Sequence, residues 1–258
     1  MMKNRFPLFA GRRILKKESL WDIRDYAYTG WQLYYDGYTD GLLNGCAIRA
    51  EDGLLSIGRG MIKFHDFVYF MQEEERVPYQ SRNRWQVLKA EFTEDRKNPD
   101  YWEYQIRFFL DEDTETKENQ MEMCRFHLRE GSVLRDTYKN FSDMSTEYDT
   151  LNLIHAAVAG AGEQTLHPKI LLQFADELSK ADGKENADFA FYYTVVNSRG
   201  RMERRSVLDY LRDKGRTGKE EKLSSWSNSD IYMEMERILR HKGAGGGKGY
   251  GRKVIYVE

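Results

Sequence analysis

The chain has 258 residues, of which 40% are hydrophobic and 32% are charged, a composition typical of a globular protein with one large domain or two ordinary ones. Its 40 basic and 42 acidic residues leave a formal net charge of −2. No global field therefore favours nucleic acid or an anionic membrane, and binding is expected to depend on local shape.

The cysteine content and the longest apolar runs further restrict the compartment and the type of protein. Cys46 and Cys124 are the only cysteines and fall in predicted strands, so we expect buried free thiols and assembly in a reducing cytoplasm. No segment approaches the roughly 18 apolar residues that span a bilayer, and the N-terminus has no signal core. We expect neither membrane insertion nor secretion by a cleaved signal.

Residues 1–37 are predicted to form an N-terminal arm followed by one short helix. The extended apolar arm consists of Phe6, Pro7, Leu8 and Phe9. Over residues 17–28, apolar side chains recur at helical spacing. Gly30 is predicted to end this helix, and residues 31–35 to lead into a sheet.

Residues 38–141 are predicted to form an antiparallel β domain. Within 38–71, five short apolar runs are separated by turn residues such as Asp52-Gly53, and none is long enough for a helix. Residues 77–79 are predicted as an edge strand. Three later segments alternate polar with apolar residues, namely 85–93, 102–110 and 121–128. Seven or eight strands of this kind suit a sandwich or an open barrel.

Residues 142–242 are predicted to form an all-α domain. A first helix is expected over 149–159, ended by Gly160-Ala161-Gly162. Pro168 occupies the first turn of a second helix, a position that suits proline. Three more helices are expected over 188–196, 203–214 and 228–241. The fold class is therefore α+β.

Residues 243–258 are a glycine-rich tether followed by a strand-like end. The end contains Val254, Ile255, Tyr256 and Val257. A strand tethered in this way could add to a sheet edge, on this chain or on another.

The sequence offers no convincing reaction centre. A phosphate loop around Gly247-Lys248 fails because Lys242 occupies the first glycine position and Gly249 replaces the required Ser or Thr. The histidines lack metal spacing, and no Gly-x-Ser-x-Gly occurs. We therefore predict no catalytic residue, cofactor or metal. The basic run 199–205 is either a contact for an acidic partner or phosphate, or a solvated helix entrance.

Several short motifs near the N-terminus carry a family resemblance. They are residues 4–9 (NRFPLF), 13–17 (RILKK), 20–26 (LWDIRDY), 38–45 (YTDGLLNG) and 55–62 (LSIGRGMI). In this order they resemble baseplate-associated tail proteins of Firmicutes contractile phages and phage-tail-like bacteriocins. The last of them is similar to a strand–glycine–strand element of tail-fibre adaptors. The resemblance covers about the first eighty residues.

This resemblance implies a structural role rather than a reaction. It implies a component at the periphery of a baseplate, made in the bacterial cytoplasm and then part of the phage or tailocin particle. The expected partners are other baseplate proteins and the receptor-binding fibre, in several symmetric copies. The arm residues 6–9 would bind an adjacent subunit, and Val254 to Val257 would add to a partner sheet. Trp21 and Trp31 would pack the helix onto the β domain.

Two other functions stay open on sequence grounds. A carbohydrate-binding receptor module would use exposed Trp85, Trp102 and Tyr104. A tail-associated cell-wall hydrolase would need two carboxylates facing each other in a cleft.

Overall fold

The computed structural model describes residues 7–9, 11, 12, 14–145, 148–214 and 225–243. An N-terminal helix precedes a run of antiparallel strands, and four further helices follow, so the fold is α+β as predicted. The helices are α1 (Lys17–Tyr34), α2 (Pro168–Lys180), α3 (Asn186–Asn197), α4 (Arg204–Lys214) and α5 (Asn228–Gly243). A short 3-10 helix occupies Phe141–Ser145.

Nine strands lie within the described ranges and form three antiparallel sheets of three strands each. They are β1 (Gly41–Gly45), β2 (Ile48–Glu51), β3 (Leu54–Ile57), β4 (Gly60–Phe64), β5 (Phe67–Met71), β6 (Glu75–Pro78), β7 (Trp85–Asp95), β8 (Glu103–Asp111) and β9 (Gln120–His127). The strand orders are β1-β4-β5, β2-β3-β6 and β8-β7-β9. The predicted edge strand near residue 77 is confirmed as β6.

The predicted turns between the short strands are present. Asp52 and Gly53 have φ of 49° and 77° and join β2 to β3, whose residues pair from Ile48↔Ile57 to Glu51↔Leu54. Positive φ at both central residues matches the right-handed twist of a two-residue hairpin. Local sequence is therefore sufficient to fix this hairpin.

The helix predicted over 149–159 is wrong, and the C-terminal half is not purely helical. This segment is irregular and forms isolated bridges to other parts of the chain: Thr150 to Arg135, Asn152 to Arg125, and Val158 to Leu42 and Thr165. Nearly all of its side chains are buried. Because polar Thr150 and Asn152 are buried along with the apolar residues, the apolar spacing does not mark a single buried face and does not distinguish a helix from a non-helical segment.

The same segment passes close to β1. The N–H of Leu42 donates to the carbonyl of Ala157 at 2.9 Å, and the N–H of Ala159 donates to the carbonyl of Leu42 at 3.1 Å. A Cβ at Gly41, whose φ is +146°, would lie 2.5 Å from the Ala159 nitrogen. Glycine is therefore required where the two backbones meet.

The four later helices are confirmed close to their predicted positions. Pro168 occupies the first turn of α2, and the Nδ1 of His167 accepts a hydrogen bond from the N–H of Lys169 at 3.2 Å. This cap satisfies one of the free N–H groups at the start of the helix.

One buried apolar cluster runs from the strands into the helices. It includes Leu88 and Phe126 of the sheet β8-β7-β9 together with Phe141, Phe174 and Tyr232 of the helical half. The rings of Phe141 and Tyr232 stack with centroids 4.5 Å apart. The boundaries predicted at 38–141 and 142–242 stay predictions.

Both cysteines are buried free thiols, as predicted. Cys124 lies in β9, but Cys46 lies between β1 and β2 with φ of 53°, so its assignment to a strand is wrong. Burial raises the pKa of the Cys46 thiol to about 12 and also raises that of Cys124. Both thiols are therefore protonated and unreactive at neutral pH.

Candidate protein–protein interface

Helix α1 has 18 residues and buries none of them. An amphipathic helix of a globular protein normally covers an apolar stripe with its own core. Here Tyr26, Leu33 and Tyr34 are 81%, 69% and 71% exposed. Leu20, Trp21 and Ile23 are also exposed.

The helix is longer than the sequence predicted. It continues through Gly30 to Tyr34, so the predicted end at Gly30 and the strand-like lead-in after it are wrong. A glycine inside a helix costs only about 1 kcal/mol relative to alanine. The aromatic contacts of the last turn supply a stabilisation of that order.

Aromatic rings in the C-terminal half of α1 hold it against β5. Trp31 meets Phe70 edge-on at 5.6 Å and stacks on Tyr35 at 6.2 Å. Tyr28 lies 6.3 Å from Phe67. Because Phe67 and Phe70 point to opposite faces of their strand, α1 crosses beside the free edge of β5.

The end of α1 is fixed by a second aromatic group. Tyr35 meets Tyr38 edge-on at 5.3 Å, and both pack against a small buried cluster of Leu43, Val68 and Ala159. Burial and the neighbouring Tyr34 raise the pKa of Tyr35. This end of the helix is anchored, while its N-terminal half makes no comparable ring contact with a strand in the described chain.

The residues before α1 extend the exposed apolar region. Leu8, Phe9, Ile14 and Leu15 are all exposed. Together with Leu20, Trp21, Ile23, Tyr26, Leu33 and Tyr34 they form what we call the N-terminal apolar surface. Groups of exposed large apolar side chains are typical of protein–protein contacts.

The predicted interface residues have different environments. Pro7 is half-buried and Phe9 is exposed. The Lys17 ammonium lies 5.2 Å from the Trp21 ring centroid, whereas Trp31 packs on Phe70. Phe6 and Val254 to Val257 lie outside the described residues.

Sequence reasoning missed Tyr26, Leu33 and Tyr34 as exposed interface candidates. A signal for the longer helix was present, because the apolar spacing of Leu20 and Ile23 continues beyond Gly30 to Tyr34. Reading Gly30 as a terminator concealed it. Exposure itself cannot be read from spacing, since it depends on whether anything covers the stripe.

The aromatic residues considered for carbohydrate binding do not form one platform. Tyr104 stacks on Phe67 with centroids 3.9 Å apart, and Trp85 packs edge-on against His127 at 5.5 Å. Trp102 is exposed, with the Arg96 guanidinium 4.2 Å from its ring centroid.

The buried carboxylates with shifted pKa values are bound to neighbours. Burial raises the pKa of Glu122, whose carboxylate accepts hydrogen bonds from Arg125. Asp188 is held by two lysines and a tyrosine. Among the described residues, no group of three or more His, Cys, Asp or Glu side chains could hold a metal ion.

The basic run 199–205 makes contacts within the chain. Arg201 donates to the Leu43 carbonyl at 2.7 Å, and Arg204 donates to Trp226 and Asn228. These two arginines join the run to β1 and to α5. None of the helices in the described part of the chain is both long and apolar enough to cross a membrane.

Neither a scan against protein-family models nor a search of curated proteins gives a match. The chain is similar to a chain of the type VI secretion system TssK-TssF-TssG baseplate subcomplex, at TM-score 0.39, 9% identity and coverage of 93% of this chain and 100% of that one. It is also similar to TssK in a crystal structure, at TM-score 0.37, 9% identity and coverage of 92% and 68%. A third neighbour belongs to a type VI secretion baseplate complex, at TM-score 0.33, 9% identity and coverage of 92% and 100%. Neither a common fold nor a common function follows from TM-scores in this range.

Proposed function

We propose that this chain is a structural component of a contractile phage tail or tailocin baseplate. It links the baseplate wedge or hub to receptor-binding fibres through protein–protein contacts and catalyses no reaction. It acts in several copies within a symmetric particle assembled in the bacterial cytoplasm.

The observation that carries this proposal is the N-terminal apolar surface. Tyr26, Leu33 and Tyr34 lie on a regular helix and are each at least 69% exposed. Tyrosine and tryptophan are enriched at protein interfaces because their rings bury apolar area while their polar atoms tolerate water. A neighbouring subunit that covers this surface gives α1 the packing that this chain does not supply.

The sequence resemblance supports the kind of partner. The motifs within 4–45 that resemble baseplate-associated tail proteins include the arm, part of the N-terminal half of α1 (residues 17 and 20–26) and β1. The same residues that carry the resemblance therefore carry much of the exposed apolar surface. In this proposal the arm and α1 bind an adjacent baseplate subunit, and Val254 to Val257 add a strand to a partner sheet.

Charge substitutions on α1 test the proposal. Tyr26→Asp combined with Leu33→Asp places two carboxylates in the contact and should remove the chain from tail-like particles, because buried unpaired charges are costly. The measurement is the amount of this chain that co-purifies with particles, with circular dichroism to show that the variant is folded.

The control is Val133→Asp, which places one carboxylate, against two in the test variant, on an apolar side chain that is 74% exposed and outside α1. Its incorporation should equal that of the unmodified chain. Phe9→Ala tests the arm separately and should reduce incorporation. Normal assembly and contraction with the Tyr26 and Leu33 substitutions would refute the assignment.

A carbohydrate-binding role is a second candidate, favoured by the exposure of Tyr101 and Trp102 next to each other. Exposed aromatic rings can stack on sugars, although Arg96 occupies the Trp102 ring face. A glycan array with the unmodified chain and Trp102→Ala separates the two functions. Loss of glycan binding in the variant would favour the receptor module.

A further inference from the structure

An open groove of about 570 Å³ lies between β5 and β8, with Tyr28 of α1 at its side. This size is within the range of small-molecule sites in proteins. Two of its lining residues, Phe67 and Tyr104, stack on each other with ring centroids 3.9 Å apart. The faces that these two rings share are therefore occupied, and a ligand has to use the other rings.

Three exposed aromatic rings from different elements line the same groove. They are Tyr28 of α1, Phe70 of β5 and Trp102 in the connection between β7 and β8. Tyr28 contacts Phe67, and Phe70 contacts Trp31, yet the three residues remain 54%, 45% and 60% exposed. The groove therefore offers uncovered aromatic area, and covering it would remove apolar surface from water.

The charged residues that line the groove are all acidic. Glu73, Glu75 and Glu103 line it, and none of its lining residues is basic. In the part of the chain that the structure describes, these three carboxylates form no salt bridge and no side-chain hydrogen bond. A cationic ligand therefore gains charge complementarity here, whereas an anionic ligand is repelled.

A cation already lies on one of these rings. The Arg96 guanidinium is 4.2 Å from the Trp102 ring centroid. Arg96 pairs with Glu94 and does not line the groove. Aromatic faces attract cations through the ring quadrupole, and ammonium groups are recognised by aromatic rings in this way. Exposed rings together with unpaired carboxylates therefore point to an organic ammonium ligand.

The carboxylates lie towards opposite ends of the groove. Glu103 directly precedes Tyr104, which stacks on Phe67, the first residue of β5. Glu73 comes two positions after Met71, the last residue of β5. A strand of this length rises about 13 Å from its first residue to its last. An elongated cation with a charge at each end suits this arrangement better than a compact ion.

We propose that this groove binds a linear polyamine. One terminal ammonium group pairs with Glu103, and the other pairs with Glu73 or Glu75. The methylene chain between them lies against the exposed rings of Tyr28 and Phe70. The ligand thus combines charge pairing with the removal of apolar surface from water.

A bound polyamine would also connect α1 to the strands. Tyr28 belongs to α1 and Phe70 to β5, so a ligand that contacts both rings adds to the ring contacts that hold the helix. A ligand that binds only the folded chain raises its stability. The melting temperature of the pure chain should therefore rise with polyamine concentration.

Isothermal titration calorimetry of the pure full chain with spermidine tests the proposal. We expect saturable binding of one spermidine per chain, with an affinity that falls as salt rises. Glu73→Gln combined with Glu103→Gln should weaken binding about tenfold or more, because a counter-charge is lost at each end of the groove. Circular dichroism shows whether this variant is folded.

The matched control is Glu118→Gln with Glu130→Gln, which removes the same charge from two exposed positions outside the groove. Its affinity for spermidine should stay within about threefold of that of the unmodified chain. Equal weakening by the two pairs of substitutions, or no saturable binding at all, would overturn the proposal.

Magnesium chloride distinguishes a polyamine site from a general attraction of cations. Mg²⁺ is a compact ion that gives up its water reluctantly, so it does not cover the rings. Spermidine affinity in magnesium chloride should therefore match that in sodium chloride at equal ionic strength. Displacement of spermidine by magnesium alone would contradict the proposal. These assays use pure protein and do not rest on the proposed function, so they can fail while co-purification with particles succeeds.

Discussion

Replacing Asp188 by asparagine is expected to destabilise the helical half by about 3 kcal/mol. Asp188 is 1% exposed. It accepts a hydrogen bond from the Tyr210 hydroxyl at 2.9 Å and pairs with Lys214 at 3.3 Å and Lys242 at 2.8 Å. The carboxylate thus ties the start of α3 to the ends of α4 and α5.

The magnitude follows from what the substitution leaves behind. Asparagine keeps the shape and an acceptor for Tyr210, but the side chains of Lys214 and Lys242, 6% and 14% exposed, lose their buried counter-charge. Removing one partner of a buried ion pair costs about 3–5 kcal/mol. The lower end applies because Lys214 retains a salt bridge to Glu185 at 2.6 Å.

Urea unfolding followed by circular dichroism measures the loss, and the melting temperature should fall by about 6 °C, at roughly 2 °C per kcal/mol for a chain of this size. The control is Asp176→Asn, which removes an exposed i,i+4 pair with Lys180 and should cost below about 1 kcal/mol. Equal losses in the two variants would refute the account.

The same reasoning sets a pH dependence. Burial opposes ionisation of Asp188, but hydrogen bonds from Glu185, Lys242 and Tyr210 hold its pKa below its ordinary value of 3.8. A depressed carboxyl pKa adds stability that is present above the ordinary value and is lost as pH falls through the folded-state pKa. The difference between Asp188→Asn and the unmodified chain should therefore shrink below about pH 4.

Two further outcomes are expected. Gly41→Ala should lower the free energy of unfolding in urea by about 3 kcal/mol, because its Cβ would meet Ala159 and its φ is +146°. Gly30→Ala, whose Cβ would have nothing within 4 Å, should instead stabilise α1 by up to about 1 kcal/mol. A similar loss at both positions would contradict this account. Burial, with the charge of Lys169, lowers the pKa of His167 from 6.5 to about 3, so stability should fall as pH drops from about 6.5 towards 3. His167→Asn keeps a capping acceptor and should flatten that part of the pH profile, and an unchanged profile would count against this role.

Much of the fold was predictable because its signals are local. The α+β class, the hairpin at Asp52-Gly53, the long strands after Trp85 and the helix starting at Pro168 each follow from spacing and turn chemistry within a few residues. The segment 149–159 was mispredicted because its buried residues include polar Thr150 and Asn152, so polarity does not separate a buried face from an exposed one.

The candidate interface was predictable only in part. The sequence predicts the arm, Trp21 and Trp31 as interface residues from their apolar character, and this stays a prediction. The continuation of α1 past Gly30 was missed. The cost of an internal glycine is offset by the contacts of Trp31 with Phe70 and Tyr35, which exist only in the folded chain.

The sequence by itself determined the types of element, the near-neutral charge and the absence of a recognisable catalytic motif, because these depend on composition and on short-range spacing. Tertiary structure alone decided that α1 buries none of its residues, that its rings pack against Phe67 and Phe70 of β5, and that Asp188 pairs with both Lys214 and Lys242. Each of these joins residues far apart in the chain, and their proximity is set by how the packed elements exclude water from one common core.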